Sequence, residues 1–134
     1  MPQHKVVAAL IIQAGRILLG RRSETRAFYP KVWDVFGGHM EIGESLEQTL
    51  VRELQEELGI IPTAWMYAET LNNPSVGLTA HLYLVTEWSG DIRNRQLEEH
   101  SAIRWFSLAE ATQLDLADPS YPILFARYLG NSEG

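Results

Sequence analysis

Between residues 46 and 58, leucines recur at every fourth position (Leu46, Leu50, Leu54, Leu58) with Val51 beside them, and the run contains no Gly or Pro. That spacing predicts an amphipathic helix of about three and a half turns. Its ends are marked as well. Ser45 with Gln48 three residues on is a capping-box start, in which two side chains satisfy orphan amides reciprocally, and Gly59 follows as a stop. Upstream, residues 5–13 (KVVAALIIQ) and 16–22 (RILLGRR) are apolar, β-branched runs separated by Ala14-Gly15, which reads as a hairpin. The first run is almost continuously apolar, which suggests burial on both faces in a mixed sheet covered by helices.

The rest of the pattern is less regular. Residues 33–36 (WDVF) read as a short strand running into Gly37-Gly38. Ile61-Pro62-Thr63 interrupts the pattern after the helix; residues 64–70 then read as a strand, 71–78 as a turn-rich loop and 79–88 as an alternating strand. A strand over 101–108, a short helix over 109–113 and a terminal helix over about 123–129, stopped by Gly130, complete the expectation, with residues 131–134 as a disordered tail. Residues 23–31 and 89–97 read as loops. Phe28 and Tyr29 in the first loop suit either stacking on a base or anchoring in the core, the second being the commoner fate. His81, on the alternating strand, reads as a packed, hydrogen-bonded residue.

At 134 residues the chain is expected to form one domain over 1–134, burying about two-thirds of its unfolded surface. The absence of Cys excludes disulfides and thiolate metal sites. The first apolar run, broken by Gln13 and Gly15, is too short for a signal peptide or membrane span, so a cytoplasmic protein without membrane partners is expected. A net charge of -6 disfavours a nucleic-acid polymer as partner but suits a small phosphorylated ligand if a cation supplies local positive charge. Monomer and homodimer are both compatible.

The chemistry concentrates on the helix. Glu53, Glu56 and Glu57 share an arc that overlaps the edge of the leucine face. Carboxylates three and four residues apart repel, and clustering them beside an apolar seam costs stability unless something cationic sits between them. A solvated face is the ordinary fate of an acidic helix surface. Here the register of Glu44, Arg52 and Gly37-Gly38 favours a bound divalent ion, and oxygen-only ligands point to Mg²⁺ first and Mn²⁺ second. Mg²⁺ takes remaining ligands from phosphates, which implies a phosphate-bearing substrate. Arg52 falls on another face and reads as an orienter that pairs with Glu44 or a neighbouring Glu. Cys is absent and no Ser-His-Asp arrangement stands out, so no protein nucleophile is expected.

Gly38, five residues, Glu44, seven residues, Arg52-Glu53-Leu54, one residue, Glu56-Glu57, one residue and Gly59-Ile60 resemble the Nudix box at every defined position. The resemblance implies an α+β fold, an α/β/α sandwich with a mixed curved β-sheet between helices. It implies a Mg²⁺-dependent hydrolase cleaving a phosphoanhydride of a nucleoside diphosphate linked to another moiety. A nucleoside triphosphate, oxidised purines such as 8-oxo-dGTP included, is the first expectation; ADP-ribose, a dinucleoside polyphosphate or a nucleotide sugar is the second. By the same resemblance the Gly38 carbonyl, Glu56 and Glu57 are metal ligands, Glu53 is a ligand or general base, and Glu98 or Glu99 is an auxiliary ligand or base. Arg22 and His39 are then candidate phosphate contacts and Asp118 a candidate reader of the base edge, although Asp118 also suits a helix cap. Relatives often carry Pro at Phe36 and Lys at His39. A silent nucleotide sensor would lack box carboxylates, and all are present; a diphosphate isomerase would call for a Cys.

Overall fold

The computed structural model describes residues 4–24 and 31–129; the expectations for Phe28, Tyr29, Gly130 and the tail lie outside the described residues. The elements are β1 (His4–Gln13), β2 (Arg16–Arg22), β3 (Trp33–Asp34), β4 (Phe36–His39), α1 (Leu46–Leu58), β5 (Ile61–Asn73), β6 (Leu78–Ser89), β7 (His100–Phe106), α2 (Leu108–Ala111) and α3 (Tyr121–Leu129). Together they make a mixed open sheet with a few helices. The chain divides into two compact units, residues 1–10 with 36–95 and residues 11–35 with 96–134.

In the first unit β4 pairs antiparallel with β1, setting Gly38 opposite Val7 and Gly37 opposite Ala8, and β5 pairs antiparallel with β6 along almost its whole length. α1 packs against β4 and β5. Its Leu50, Leu54 and Leu58 are fully buried, as the four-residue spacing required, together with Phe36, Ile60, Leu82 and Val85. Each such aliphatic side chain contributes about 1.5–3 kcal/mol on leaving water. Ser45 caps the helix through the reciprocal box with Gln48, and Gly59 closes it in the left-handed conformation (φ 73°). Beyond the helix the chain continues straight into β5. Ile61 and Pro62 belong to that strand, contrary to the expected break, because the register shifts that follow Pro62, on either side of Ala64, accommodate a residue with no amide to donate. The expected eight-residue loop is correspondingly short, since β5 runs to Asn73 and β6 starts at Leu78.

In the second unit, β1 and β2 form the expected hairpin. Ala14 and Gly15 both take positive φ (53° and 75°), the backbone that a two-residue hairpin turn needs. β2 pairs antiparallel with β3 on one side and β7 on the other. Ile17, Leu18 and Leu19 are buried, as are Phe125 and Leu129 of α3, while Trp33 meets Phe106 edge to face at 4.9 Å. α2 starts from a second capping box, Ser107 with Glu110. The WDVF strand is in fact two: Trp33–Asp34 pairs with β2, and from Phe36 the chain pairs with β1. That change of partner lets the glycines extend β4 and leaves Asp34 and Gly38 on separate strands. Among the described residues no helix is long and apolar enough to cross a membrane.

Removing the centre of the α1 seam should be costly. Leu54→Ala is expected to destabilise the protein by about 2–5 kcal/mol, measured as a lower urea midpoint with an unchanged far-UV spectrum in buffer; an unchanged midpoint would remove Leu54 from the core.

Candidate active site

Three rows of side chains run along α1. Leu50, Leu54 and Leu58 enter the core; beside them, at the same four-residue spacing, stand Thr49, Glu53 and Glu57; Arg52 and Glu56 form the third row. The second row meets β4. Glu57, buried, accepts a hydrogen bond from the Gly37 amide through Oε2 (3.0 Å). Glu53 lies over Gly38 so closely that a Cβ at Gly38 would stand 2.5 Å from its carboxyl carbon, and a Cβ at Gly37 (φ 150°) would strike the Val7 carbonyl oxygen at 1.9 Å. Gly37 is therefore demanded by close approach to backbone, while a Cβ at Gly38 would displace the Glu53 carboxylate from its place.

Arg52 uses every N–H it has. Nε donates to Glu44 Oε2 (2.6 Å) and Nη2 to Glu44 Oε1 (3.1 Å), a two-pronged grip. Nη2 also donates to the His39 carbonyl (2.9 Å), while Nη1 reaches Glu53 Oε1 (2.9 Å) and Glu56 Oε2 (3.3 Å). Glu44 is as fully engaged, because its Oε1 also accepts the Glu41 amide (2.9 Å) and the Thr49 hydroxyl (2.9 Å). The Arg52 hydrogen bond first, then the Glu41 amide and the Thr49 hydroxyl, hold the Glu44 carboxyl down at about 2 against the opposing effect of desolvation. The Arg52 guanidinium is pushed further above its already high range, chiefly by Glu44. The side chains of Glu44 and Glu53 are 17% and 15% exposed against 49% for Glu56, so solvent screens the Glu56 contact most. Arg52 pairs with Glu44, as expected, and also with Glu53 and Glu56. It also answers the repulsion among the glutamates, since a guanidinium stands between Glu53 and Glu56.

The last turn of α1 has no basic residue of its own. Its carbonyls are taken by the segment after β6: Arg95 N–H donates to Glu57 O (2.9 Å), Arg93 N–H to Leu58 O (3.0 Å) and the Arg95 guanidinium to Gln55 O (3.4 Å). At the other end Tyr83 donates to Glu47 (2.7 Å). His81 meets the Tyr67 hydroxyl through Nδ1 (2.8 Å), and burial first, then Lys5, lowers its pKa; Tyr67 also contacts Thr70. It is a packed, hydrogen-bonded residue. His39 is exposed, with its ring edge-on to His4 at 5.9 Å and its carbonyl on Arg52.

Oxygen donors alone make up the α1 set: Glu53, Glu56, Glu57 and the neighbouring β4 carbonyls. That chemistry fits a hard divalent cation. Among the described residues no three acidic or His side chains converge as a ready-made cluster, because Arg52 draws Glu53 and Glu56 while Glu57 turns to Gly37.

The second unit carries its own polar cluster. Asp34 Oδ1 accepts from the Tyr121 hydroxyl (2.7 Å) and the Val35 amide (2.8 Å), and Arg22 lies 3.6 Å from Oδ2. Burial pushes the Asp34 carboxyl up despite these donors, Asp118 adding to the effect, and burial also pushes the Tyr121 hydroxyl well up. Asp118 accepts from the Ser120 amide (2.8 Å) and hydroxyl (2.6 Å), which fixes the turn that leads into α3. Glu98 and Glu99 are exposed in the turn before β7, where the Glu99 carbonyl accepts the Ser23 amide. Sequence reasoning missed Asp34 and Thr49. A lone acid within an apolar WDVF run was the available signal for the first, and a Thr in register with Glu53 and Glu57 for the second.

The model of the NUDIX domain matches residues 2–128. The chain is 38% identical over 128 residues to a CTP pyrophosphohydrolase of Escherichia coli (strain K12), covering 94% of this chain and 92% of that protein. It is 34% identical over 90 residues to an 8-oxo-dGTP diphosphatase of the same organism, covering 66% and 67% of the two. Its structure resembles that of a MutT NUDIX hydrolase from Burkholderia pseudomallei, with a TM-score of 0.78 at 27% identity over 95% of this chain and 98% of that one.

The depressed Glu44 carboxyl carries a pH signature. It contributes stability that is complete above its ordinary 4.5 and is lost as the pH falls towards about 2. Between those limits the unfolding free energy of the unsubstituted protein should fall more steeply than that of Glu44→Gln; parallel curves in denaturant titrations across that window would refute the grip on Glu44.

Proposed function

This chain belongs to the Nudix family, and we propose that it is a metal-dependent nucleoside triphosphate pyrophosphohydrolase that releases a nucleoside monophosphate and pyrophosphate. The observation that carries the reading is the Arg52 grip, which fixes Glu53 over Gly38 with Glu57 on the Gly37 amide. Triphosphates are preferred because the likeness to the CTP pyrophosphohydrolase extends over nearly the whole of both chains.

Glu53, Glu56, Glu57 and the Gly38 carbonyl would hold the cation, Mg²⁺ by the hardness of the donors. When bound, a divalent ion neutralises phosphate oxygens and acidifies water. The chain's own residues supply position. Water attacks one phosphorus of the anhydride between the first and second phosphates, the bond to the bridging oxygen breaks, the leaving phosphate group departs with the bond's electrons, and a carboxylate takes the proton from the water, leaving nucleoside monophosphate and pyrophosphate. Glu53 is assigned that proton, because Arg52 holds its Oε1 and fixes its orientation at 2.9 Å. Arg52 and Glu44 touch no reacting atom in this account; they place the groups that do. In phosphoryl transfer, placement and electrostatic stabilisation account for most of the catalysis.

In the second unit, Arg22 suits a phosphate, and the Asp34, Asp118 and Tyr121 cluster suits the hydrogen-bonding edge of a base. Asp34 accepts from the Tyr121 hydroxyl and the Val35 amide beside Arg22, so it joins Asp118 as a candidate polar contact for the base.

The test is a nucleotide panel with Mg²⁺, resolving monophosphate, pyrophosphate and phosphate. CTP and 8-oxo-dGTP represent the triphosphates, and ADP-ribose and a dinucleoside polyphosphate the second expectation. Pyrophosphate with monophosphate from a triphosphate is expected. Glu53→Gln and Glu57→Gln should each lose about 100-fold or more in kcat with folding intact. No turnover of any member, or near-normal turnover by both variants, would overturn the proposal.

A further inference from the structure

Thr49 is fully buried on α1, one helical turn before Glu53 and two before Glu57 in the same row. Its hydroxyl has one proton and two acceptors within reach, Glu44 Oε1 at 2.9 Å and the Ser45 carbonyl at 3.1 Å. The Ser45 carbonyl already accepts the Thr49 amide in the first turn of the helix (3.0 Å). Glu44 is ionised and closer, and a hydrogen bond to a charged acceptor is the stronger of the two, so the proton goes to Glu44. There Thr49 meets the oxygen that also accepts Arg52 Nη2, while Arg52 Nη1 holds Glu53. Thr49 hydroxyl, Glu44 carboxylate, Arg52 guanidinium and Glu53 carboxylate are thus four groups in direct sequence, each fixing the rotamer of the next.

We propose that Thr49 is a positioning residue, whose hydroxyl sets the Glu44 carboxylate so that Arg52 grips it with two prongs and presents Glu53 in its working orientation. The hydroxyl reaches no reacting atom. The Thr49 side chain is fully buried, so the role of the oxygen has to be separated from that of the volume it fills. Without the hydroxyl the Glu44 carboxylate keeps the Glu41 amide and the Arg52 fork but loses the donor that comes from the buried row of α1, and its setting against Arg52 is looser.

Two substitutions separate hydroxyl from packing. Thr49→Val keeps the shape and the methyl group and puts a second methyl in place of the hydroxyl; Thr49→Ser keeps the hydroxyl and removes the methyl. The first readout is the Arg52 Nε–Hε resonance, whose solvent exchange reports the grip on Glu44 without any turnover. The second is kcat against KM for the best nucleotide of the panel, which rests on the hydrolase reading. Thr49→Val should accelerate Nε–Hε exchange and lower kcat about tenfold with KM unchanged, a loss on the scale of one hydrogen bond to a charged group. Thr49→Ser should restore both to within about twofold, since it keeps that hydrogen bond. An undisturbed Arg52 resonance in Thr49→Val, or a Ser variant as impaired as the Val variant, would overturn the proposal. If the unsubstituted protein turned over no nucleotide, the hydrolase reading would fall, while the resonance would still decide the role of Thr49.

Discussion

One guanidinium makes the carboxylate face of α1 possible. Three glutamates within five residues, beside a buried leucine seam, would repel one another and loosen the helix that carries them. Arg52 sits between Glu53 and Glu56 and is anchored from behind by Glu44. Because all five of its N–H groups are engaged, it has one orientation. A Lys in its place would offer a point charge without the planar fork, and could not grip Glu44 with two prongs while reaching two further carboxylates and a carbonyl.

The glycines and the helix ends follow from that constraint. Glu53 can lie over β4 only because Gly38 has no Cβ, and Glu57 can turn inward only because the Gly37 amide meets it. The capping box at Ser45 and the amides of Arg93 and Arg95 at the far end satisfy the terminal backbone groups of α1. Burial of Leu50, Leu54 and Leu58 then fixes its rotation, so that the row bearing Glu53 and Glu57 faces the glycines. The seam supplies stability, and the polar rows use the precision that it imposes.

The helix was legible because its signals are local. Spacing, cap and stop occupy residues 45–59 and coincide with what formed, and the charge cluster on one arc pointed to a cation before any geometry was known. The strands were legible where apolar runs were uninterrupted, as in the β1 and β2 hairpin. They were less so where tertiary pairing overrides local preference. Pro62 reads as a break, but bulges let it stay in β5. WDVF reads as one strand, but pairing with β2 ends at Asp34 and pairing with β1 begins at Phe36. Asp34 and Thr49 were hidden for a related reason. Their partners, Tyr121 and Glu44, lie 87 and five residues away, and periodicity carries no record of such pairings.

Because Arg52 and Glu44 work as one unit, their substitutions should not act independently, and a double-mutant cycle on kcat/KM measures this directly. Glu44→Gln and Arg52→Lys should each impair hydrolysis, and the double variant should be scarcely worse than the worse single one. Losses that multiply would contradict the account, since they would mean that each residue serves the reaction through contacts the other does not share.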